Sequence, residues 1–303
     1  MDGILVVDKP AGPTSHDIVG LVRRLAATKR VGHGGTLDPF ASGVLPLFLG
    51  QATRMVEYHL GDRKAYRATV CFGASSTTDD LEGELTPAEG TAPTRDAVLA
   101  AIPSFLGSIS QRPPAYSAIK LAGRRAYAMA RAGETPQLAE RQVAIDRIEL
   151  TEWDGRDPER PIAILDVACS AGTYVRALAR DIGAAVGSAA YLGALIRTAS
   201  GPFRLEDALA VDHIREAAAA GPARLAALLR PVDAGLEAMA EHSVTDEELL
   251  AISRGQFIRA PALRAEEGAP VRVRDERGRL VAIAILRGER LAPDKVLVDA
   301  AAS

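Results

Sequence analysis

The amino-acid sequence predicts an α+β fold, a mixed and mostly antiparallel sheet flanked by helices, on three observations. Strand-like and helix-like stretches intermix without the steady βαβ repeat that a parallel sheet requires. The stretch KAYRATVCFG at 64–73 alternates, with Tyr66, Ala68, Val70 and Phe72 on one face and Arg67, Thr69 and Cys71 on the other, as a strand with two different faces does. From about Val244 the pattern changes to short alternating segments around a tight turn. The chain therefore divides into a main domain, 1–240, and a hairpin-based β module, 244–303.

Gly3 to Val7 (GILVV) reads as a buried strand closed by the turn Asp8-Lys9-Pro10-Ala11-Gly12-Pro13. Thr14 or Ser15 then caps a helix whose Ile18, Val22 and Leu25 share one face. Residues 29–43 lack periodicity and hold four glycines, so they form a loop, and Val44 to Leu49 returns as a buried strand. Ser75 to Thr94, acidic and rich in Thr, Pro and Gly, predicts a long surface loop. Next come a helix from Thr94 to about Phe105, an extended segment at Pro113 to Lys120, a helix at Gly123 to Ala132, and strands at Val143 to Leu150 and Ile162 to Cys169. A helix at Thr173 to Val186, a strand near Ala190 to Thr198, and helices at Glu206 to Ala218 and Pro222 to Leu229 complete the main domain. The module holds a helix at Asp246 to Ser253 and strands at Pro270 to Arg274, Leu280 to Leu286 and Lys295 to Val298.

With 48% hydrophobic and 25% charged residues the composition is that of a soluble globular protein. The longest apolar runs fall far short of the roughly 20 residues of a membrane span. The first residues show no secretory pattern. Cys71 and Cys169 form neither a disulfide framework nor a zinc motif, which suits reduced residues in a cytoplasmic protein. The net charge of −3 hides an uneven distribution: residues 1–70 carry nine Lys or Arg against six acids, and 101–135 carry five against one. Of the 36 basic residues 31 are arginine, the side chain suited to bidentate contacts with phosphate or carboxylate. There is no phosphate-binding G-x-x-x-x-G-K-[ST] loop and no H-E-x-x-H or C-x-x-C metal motif.

One carboxylate stands apart. Asp38 lies in GGTLDPFASGVL, among glycines that permit close approach of another chain and before Pro39, which pushes it toward an extended conformation. On local sequence alone, Leu-Asp-Pro is a turn signal. Its company changes that reading. The motifs are Gly3-Ile4-Leu5-Val6-Val7-Asp8-Lys9-Pro10; Val31-Gly32-His33-Gly34-Gly35-Thr36-Leu37-Asp38-Pro39; Gly50-Gln51-Ala52-Thr53-Arg54; Lys64-Ala65-Tyr66; Pro113-Pro114-Ala115-Tyr116-Ser117-Ala118-Ile119-Lys120; Gly172-Thr173-Tyr174-Val175-Arg176; and Leu195 with Arg197, Ser200, Gly201 and Phe203. In this order, over nearly the whole chain, they resemble the TruB family of tRNA pseudouridine synthases.

The resemblance implies a pseudouridine synthase fold followed by a small β-barrel-like module of PUA type, although that module's ten basic and ten acidic residues make no strongly basic clamp. It implies isomerisation of uridine 55 in the T loop of tRNA, by base flipping, without cofactor or metal. It also implies a chain that works as a monomer with no obligatory protein partner. Asp38 matches the catalytic aspartate, Tyr66 the tyrosine that stacks on the target base, and Arg176 the arginine that pairs with the acid. Tyr174 and Leu195 match residues bracketing the base, and His33 matches a wedge that fills the space of flipped bases. Lys9, Lys64, Lys120, Arg124 and Arg125 are expected to contact phosphates. The chain departs from the pattern after the Tyr66 strand: Ser76-Thr77-Thr78 stands where many members have Thr-Asp-Thr, so no acid acts at position 77, and contacts from this loop are open.

Overall fold

The computed structural model describes residues 1–298 apart from 118, 122 and 135, and for 120, 125, 127, 128 and 131 the backbone only. Nine strands of the large sheet position the site: β1 (Gly3–Lys9), β2 (Val31–His33), β3 (Ser42–Leu49), β4 (Lys64–Phe72), β5 (Gly107–Gln111), β6 (Arg141–Asp154), β7 (Ile162–Cys169), β8 (Ala190–Ser200) and β9 (Leu209–Ala210). Their order is β9-β1-β3-β8-β4-β7-β6-β5, with β2 also paired to β3. The pairings are antiparallel except β1 with β9 and β3 with β8. This is the mixed, mostly antiparallel sheet that the sequence predicts.

Two helices matter to the site, and a third, α2 (Arg95–Ala101), lies between them in the chain. In α1 (Ser15–Leu25), Thr14 and Asp17 form a reciprocal capping box, and Ile18, Val19 and Val22 face the core. In α3 (Val175–Ala185), Val175, Leu178, Ala179 and Ile182 are buried against the sheet. The main core takes in Leu5, Val7, Leu45, Leu47, Val70, Phe72, Leu165 and Leu192, the inward set of the alternating strands.

A second sheet follows, β10 (Ala240–Ser243), β11 (Ile258–Arg259), β12 (Pro270–Arg274), β13 (Leu280–Arg287) and β14 (Arg290–Val296), in the order β10-β12-β13-β14-β11, with the helix Asp246–Ser253 beside it. This five-stranded sheet is consistent with a PUA-like half-barrel. β10 occupies the interval 241–243 between the two expected domains and pairs with β12. Ile283 of β13 shares a buried cluster with Ile4, Phe48, Phe203 and Leu236 of the first unit. Buried Arg272 reaches Asp233 at 3.3 Å across the same junction.

Five expectations need correction. Residues 29–43 are not wholly a loop, since Val31–His33 pairs with Leu47–Leu49 as β2, a run too short for its alternation to show in the sequence. The last strand begins at Arg290 rather than Lys295, because Pro293 is accommodated at a register shift opposite Ile283 and Ala284. The helix expected over 123–132 shortens to Ala126–Arg131: Lys120–Leu121 pairs with Arg124–Arg125, and Gly123 takes φ 85° in the turn. The helix expected from Glu206 starts at Val211, since Leu209 and Ala210 are claimed by β1 as β9. The acidic stretch is not wholly a surface loop. Ala74–Ser76 pairs with Leu85–Pro87, and the turn between them, with Asp79 at φ 60°, leaves Asp80 only 3% exposed.

Candidate active site

β3 presents one edge to two strands. β2 pairs with its residues 47–49, and β8 pairs only with Ser42 and Gly43, so the sheet forks. The 34–41 loop, which carries Asp38 from β2 back to β3, lies at that fork. Its backbone is held on both sides of Asp38. The Ser15 hydroxyl accepts from Leu37 N at 2.8 Å and donates to Leu37 O at 3.0 Å. Pro39 O accepts from Gly12 N at 2.8 Å and from Lys9 Nζ at 3.2 Å. Arg197 of β8, almost fully buried, donates to Val44 O at 2.7 Å, Gly35 O at 3.1 Å and Thr36 O at 3.4 Å. Gly43 has φ 101°, and a Cβ there would meet Arg197 O at 2.3 Å, so only glycine allows this crossing of β3 and β8.

Into this fixed loop reaches Arg176, 5% exposed, from the first turn of α3. Its Nη2 donates to Asp38 Oδ1 at 3.3 Å, and its Nε lies 3.0 Å from Oδ2, an ion-pair contact whose angle is not that of a hydrogen bond. The guanidinium also donates to Asp80 Oδ2 at 3.1 Å, Thr78 O at 3.1 Å and Tyr116 O at 3.0 Å. One cation thus serves two carboxylates. Asp80 is enclosed, whereas the Asp38 side chain is 34% exposed and open on one side.

The electrostatics follow from this enclosure. Burial pushes the Asp38 carboxyl above the ordinary carboxylate range; Arg176 opposes the shift, and the negative charge of Asp80 adds to it. The expected pair of Asp38 and Arg176 is present, but burial outweighs it in setting the titration. Tyr66 of β4 sits opposite Arg197 of β8 in the sheet register. Burial raises the Tyr66 phenol, and the neighbouring Arg197 guanidinium pulls it back.

The other expected residues fall into three groups. Tyr174 stands just before α3, and Leu195 lies in the middle of β8 opposite Ala68 of β4. Tyr174 caps α3, its backbone gripped by buried Gln111 (N to Oε1 2.8 Å, Nε2 to O 3.1 Å), and the Arg141 guanidinium lies 4.4 Å above its ring. Leu195 belongs to the main core cluster, against which Tyr66 packs. His33 ends β2; its Nδ1 accepts from Gly35 N at 3.3 Å, and burial keeps its pKa below the usual histidine value.

Lys9 is not a surface phosphate contact. It is fully buried, and its ammonium donates to Pro10 O, Pro13 O and Pro39 O at 2.9, 2.8 and 3.2 Å, which makes it a tie for the Asp38 loop. Lys64 is also buried, with an ammonium that has no hydrogen-bond partner among the described residues, and burial lowers its pKa to about 8. Arg124 is exposed and engaged with Glu134 at 2.6 and 3.1 Å. The side chains of Lys120 and Arg125 lie outside the described residues.

Sequence reasoning missed Asp80, Ser15, Gln111 and Arg197 as parts of this constellation. Arg197 alone carried a signal, a charged residue at an interior strand position. Among the described residues no cluster of three or more His, Cys, Asp or Glu side chains could hold a metal.

The chain is similar to proteins of one family over most of its length. Residues 23–175 match the N-terminal domain of the TruB family of pseudouridylate synthases, and 176–237 match a tRNA pseudouridylate synthase B C-terminal domain. A tRNA pseudouridine synthase B of Bradyrhizobium diazoefficiens is 41% identical over 97% of this chain and 85% of its own. Another, of Corynebacterium aurimucosum, is 41% identical over 96% and 94%. Among solved structures, a chain of a Cbf5-Nop10-Gar1 complex superposes with a TM-score of 0.74 at 26% identity, over 98% of this chain and 85% of that one. A carboxylate held by a buried arginine at a sheet fork, in a chain so matched from end to end, leads to one assignment: the protein belongs to the TruB family of pseudouridylate synthases.

Proposed function

We propose that this chain converts uridine 55 in the T loop of tRNA to pseudouridine, with Asp38 as the catalytic nucleophile. The observation that carries the reading is the Asp38 carboxylate, paired on one side with buried Arg176 and open on the other. Its curated relatives named tRNA pseudouridine synthase B support the substrate class.

The reaction breaks the bond from ribose C1′ to uracil N1 and joins C1′ to C5. C5 gives up its hydrogen and N1 gains one, so the change is a redox-neutral isomerisation. A carboxylate serves it by attacking the electron-poor sugar or base, or by supporting elimination to a glycal; as a nucleophile it must be ionised. Arg176 orients Asp38 and opposes its protonation. Tyr66 offers a ring for the flipped base, with Tyr174 and Leu195 bracketing it and His33 filling the space the base leaves. Recognition rests on loop shape and splayed bases, the way single-stranded RNA is read.

The test is an unmodified tRNA transcript incubated with the purified chain and with Asp38→Asn, then mapped for pseudouridine. Conversion of one T-loop uridine by the wild type alone is the expected result; conversion elsewhere, or equal conversion by the variant, overturns the reading. A second reading, a guide-dependent subunit, draws on the likeness to a chain from the Cbf5-Nop10-Gar1 complex. It predicts no conversion of bare transcript.

A further inference from the structure

Two grooves of similar size flank the Asp38 loop, and their charges differ. One, of about 530 Å³, mixes Asp8, Asp17 and Asp212 with Lys9, Arg24 and Arg215. The other, of about 550 Å³, is lined by His16, Arg23, Lys29, Arg30, His33 and Thr53 over a floor of three valines, with no carboxylate. From this second groove we infer a subsite for the RNA backbone: its cationic rim takes phosphates of the strand that runs on from the target uridine past His33. The inference rests on the proposed RNA substrate and adds residues to its recognition.

Four observations support it. Among the described residues, none of Arg23, Lys29 and Arg30 forms an ion pair with a carboxylate. Most other arginines beside the site are engaged: Arg176 and Arg180 with acids, Arg197 with three carbonyls. Arg23 is anchored, its Nη2 donating to Val31 O at 3.0 Å, yet its buried Nε has no partner. The groove also borders the Asp38 loop through His33. β2 forms part of its wall and ends in His33, five positions before Asp38. Arg30 immediately precedes β2, three residues and at most about 10 Å of extended chain from His33, so a strand leaving the pocket past His33 meets the arginine within a nucleotide or two. The size is that of a pocket for a small ligand, large enough for a nucleotide unit. Apolar floor and cationic rim fit the two halves of such a unit, base and phosphate.

The test uses Lys29→Ala with Arg30→Ala in the full chain. Both side chains are exposed, and the described hydrogen bonds of this pair are made by its backbone, Arg30 O with Gly50 N, Lys29 O with Val31 N and Arg30 N with the Thr28 hydroxyl, which the substitutions keep. A control, Arg160→Ala with Arg224→Ala, removes the same charge from exposed positions of the main domain outside both grooves. Binding of an unmodified tRNA transcript is measured across a salt series, with a thermal melt confirming that each variant is folded. The groove variant is expected to raise Kd about tenfold at low salt and to flatten the slope of log Kd against log salt by about 1.5, while the control stays near wild type. Equal effects in both variants, or none in the groove variant, overturn the subsite. Wild type that binds transcript with this signature but forms no pseudouridine would sink the proposed function and leave the subsite standing. Wild type that does not bind transcript would sink both.

Discussion

Arg176 sits between two carboxylates that differ in burial, and substitutions at the two should separate stability from catalysis. Asp80 is 3% exposed and also accepts from Glu82 N at 3.0 Å and from the Thr78 hydroxyl. Asp80→Ala deprives three donors, Arg176 Nη1 among them, of a charged acceptor. At about 1.5 to 3 kcal/mol for each such bond, partly recovered by water and by the remaining charge of Asp38, the loss comes to about 3 to 5 kcal/mol, the range for a broken buried pair. At about 2 to 4 °C per kcal/mol for a chain somewhat smaller than this one, Tm should fall by about 6 to 20 °C. Asp38→Asn leaves Arg176 with Asp80 and removes a half-exposed partner, a change of about 1 kcal/mol and a few degrees. Differential scanning calorimetry of both variants, with isomerase assays below either transition, reads the contrast. The reasoning fails if Asp38→Asn costs as much stability as Asp80→Ala, or if Asp80→Ala melts within two or so degrees of wild type.

Three further outcomes follow from the same geometry. Since burial raises the Asp38 pKa and the working form is ionised, activity should fall with decreasing pH at a value above the ordinary carboxylate range; Asp80→Asn, which removes a charge that raises that pKa, should move the acid limb down, as a kcat/KM profile would show. Arg197→Met takes two donors from the Asp38 loop, a third from Val44 of β3, and the charge from beside Tyr66, so kcat should drop about 10- to 100-fold on a folded protein, and an unchanged kcat would count against the positioning role. Lys64 binds its proton only below about 8 in the fold but below 10.5 when unfolded, so the unfolded state holds more protons in between and stability should rise with pH across that window. Lys64→Met should flatten this rise in denaturant titrations, with Lys9, also lowered to about 8, supplying what slope remains.

The strands were legible because their apolar positions follow the pleat: Val70, Phe72, Leu165 and Val167 are buried as the alternation requires. The acidic turn was not legible. Thr, Asp and Gly specify a turn whether its acid faces water or an arginine 96 residues away, and nothing local distinguishes the two. Lys9 misled for a related reason. A lysine among prolines looks like a surface charge until the fold brings the carbonyls of residues 10, 13 and 39 around its ammonium. Asp38, Tyr66 and Arg176 came from the resemblance rather than from spacing; the structure places Asp38 against Arg176, and Tyr66 beside Arg197 at the same sheet fork.

The central claim is that Asp38 performs the isomerisation, and it is tested most directly by hydrogen release from C5. A tRNA transcript carrying tritium at uracil C5 loses that label only when C1′ is joined to C5. The account predicts release of about one tritium for each T-loop uridine converted by the wild type, and release at least about a thousandfold slower with Asp38→Asn, which melts within a few degrees of wild type. Release by Asp38→Asn at the wild-type rate would contradict it.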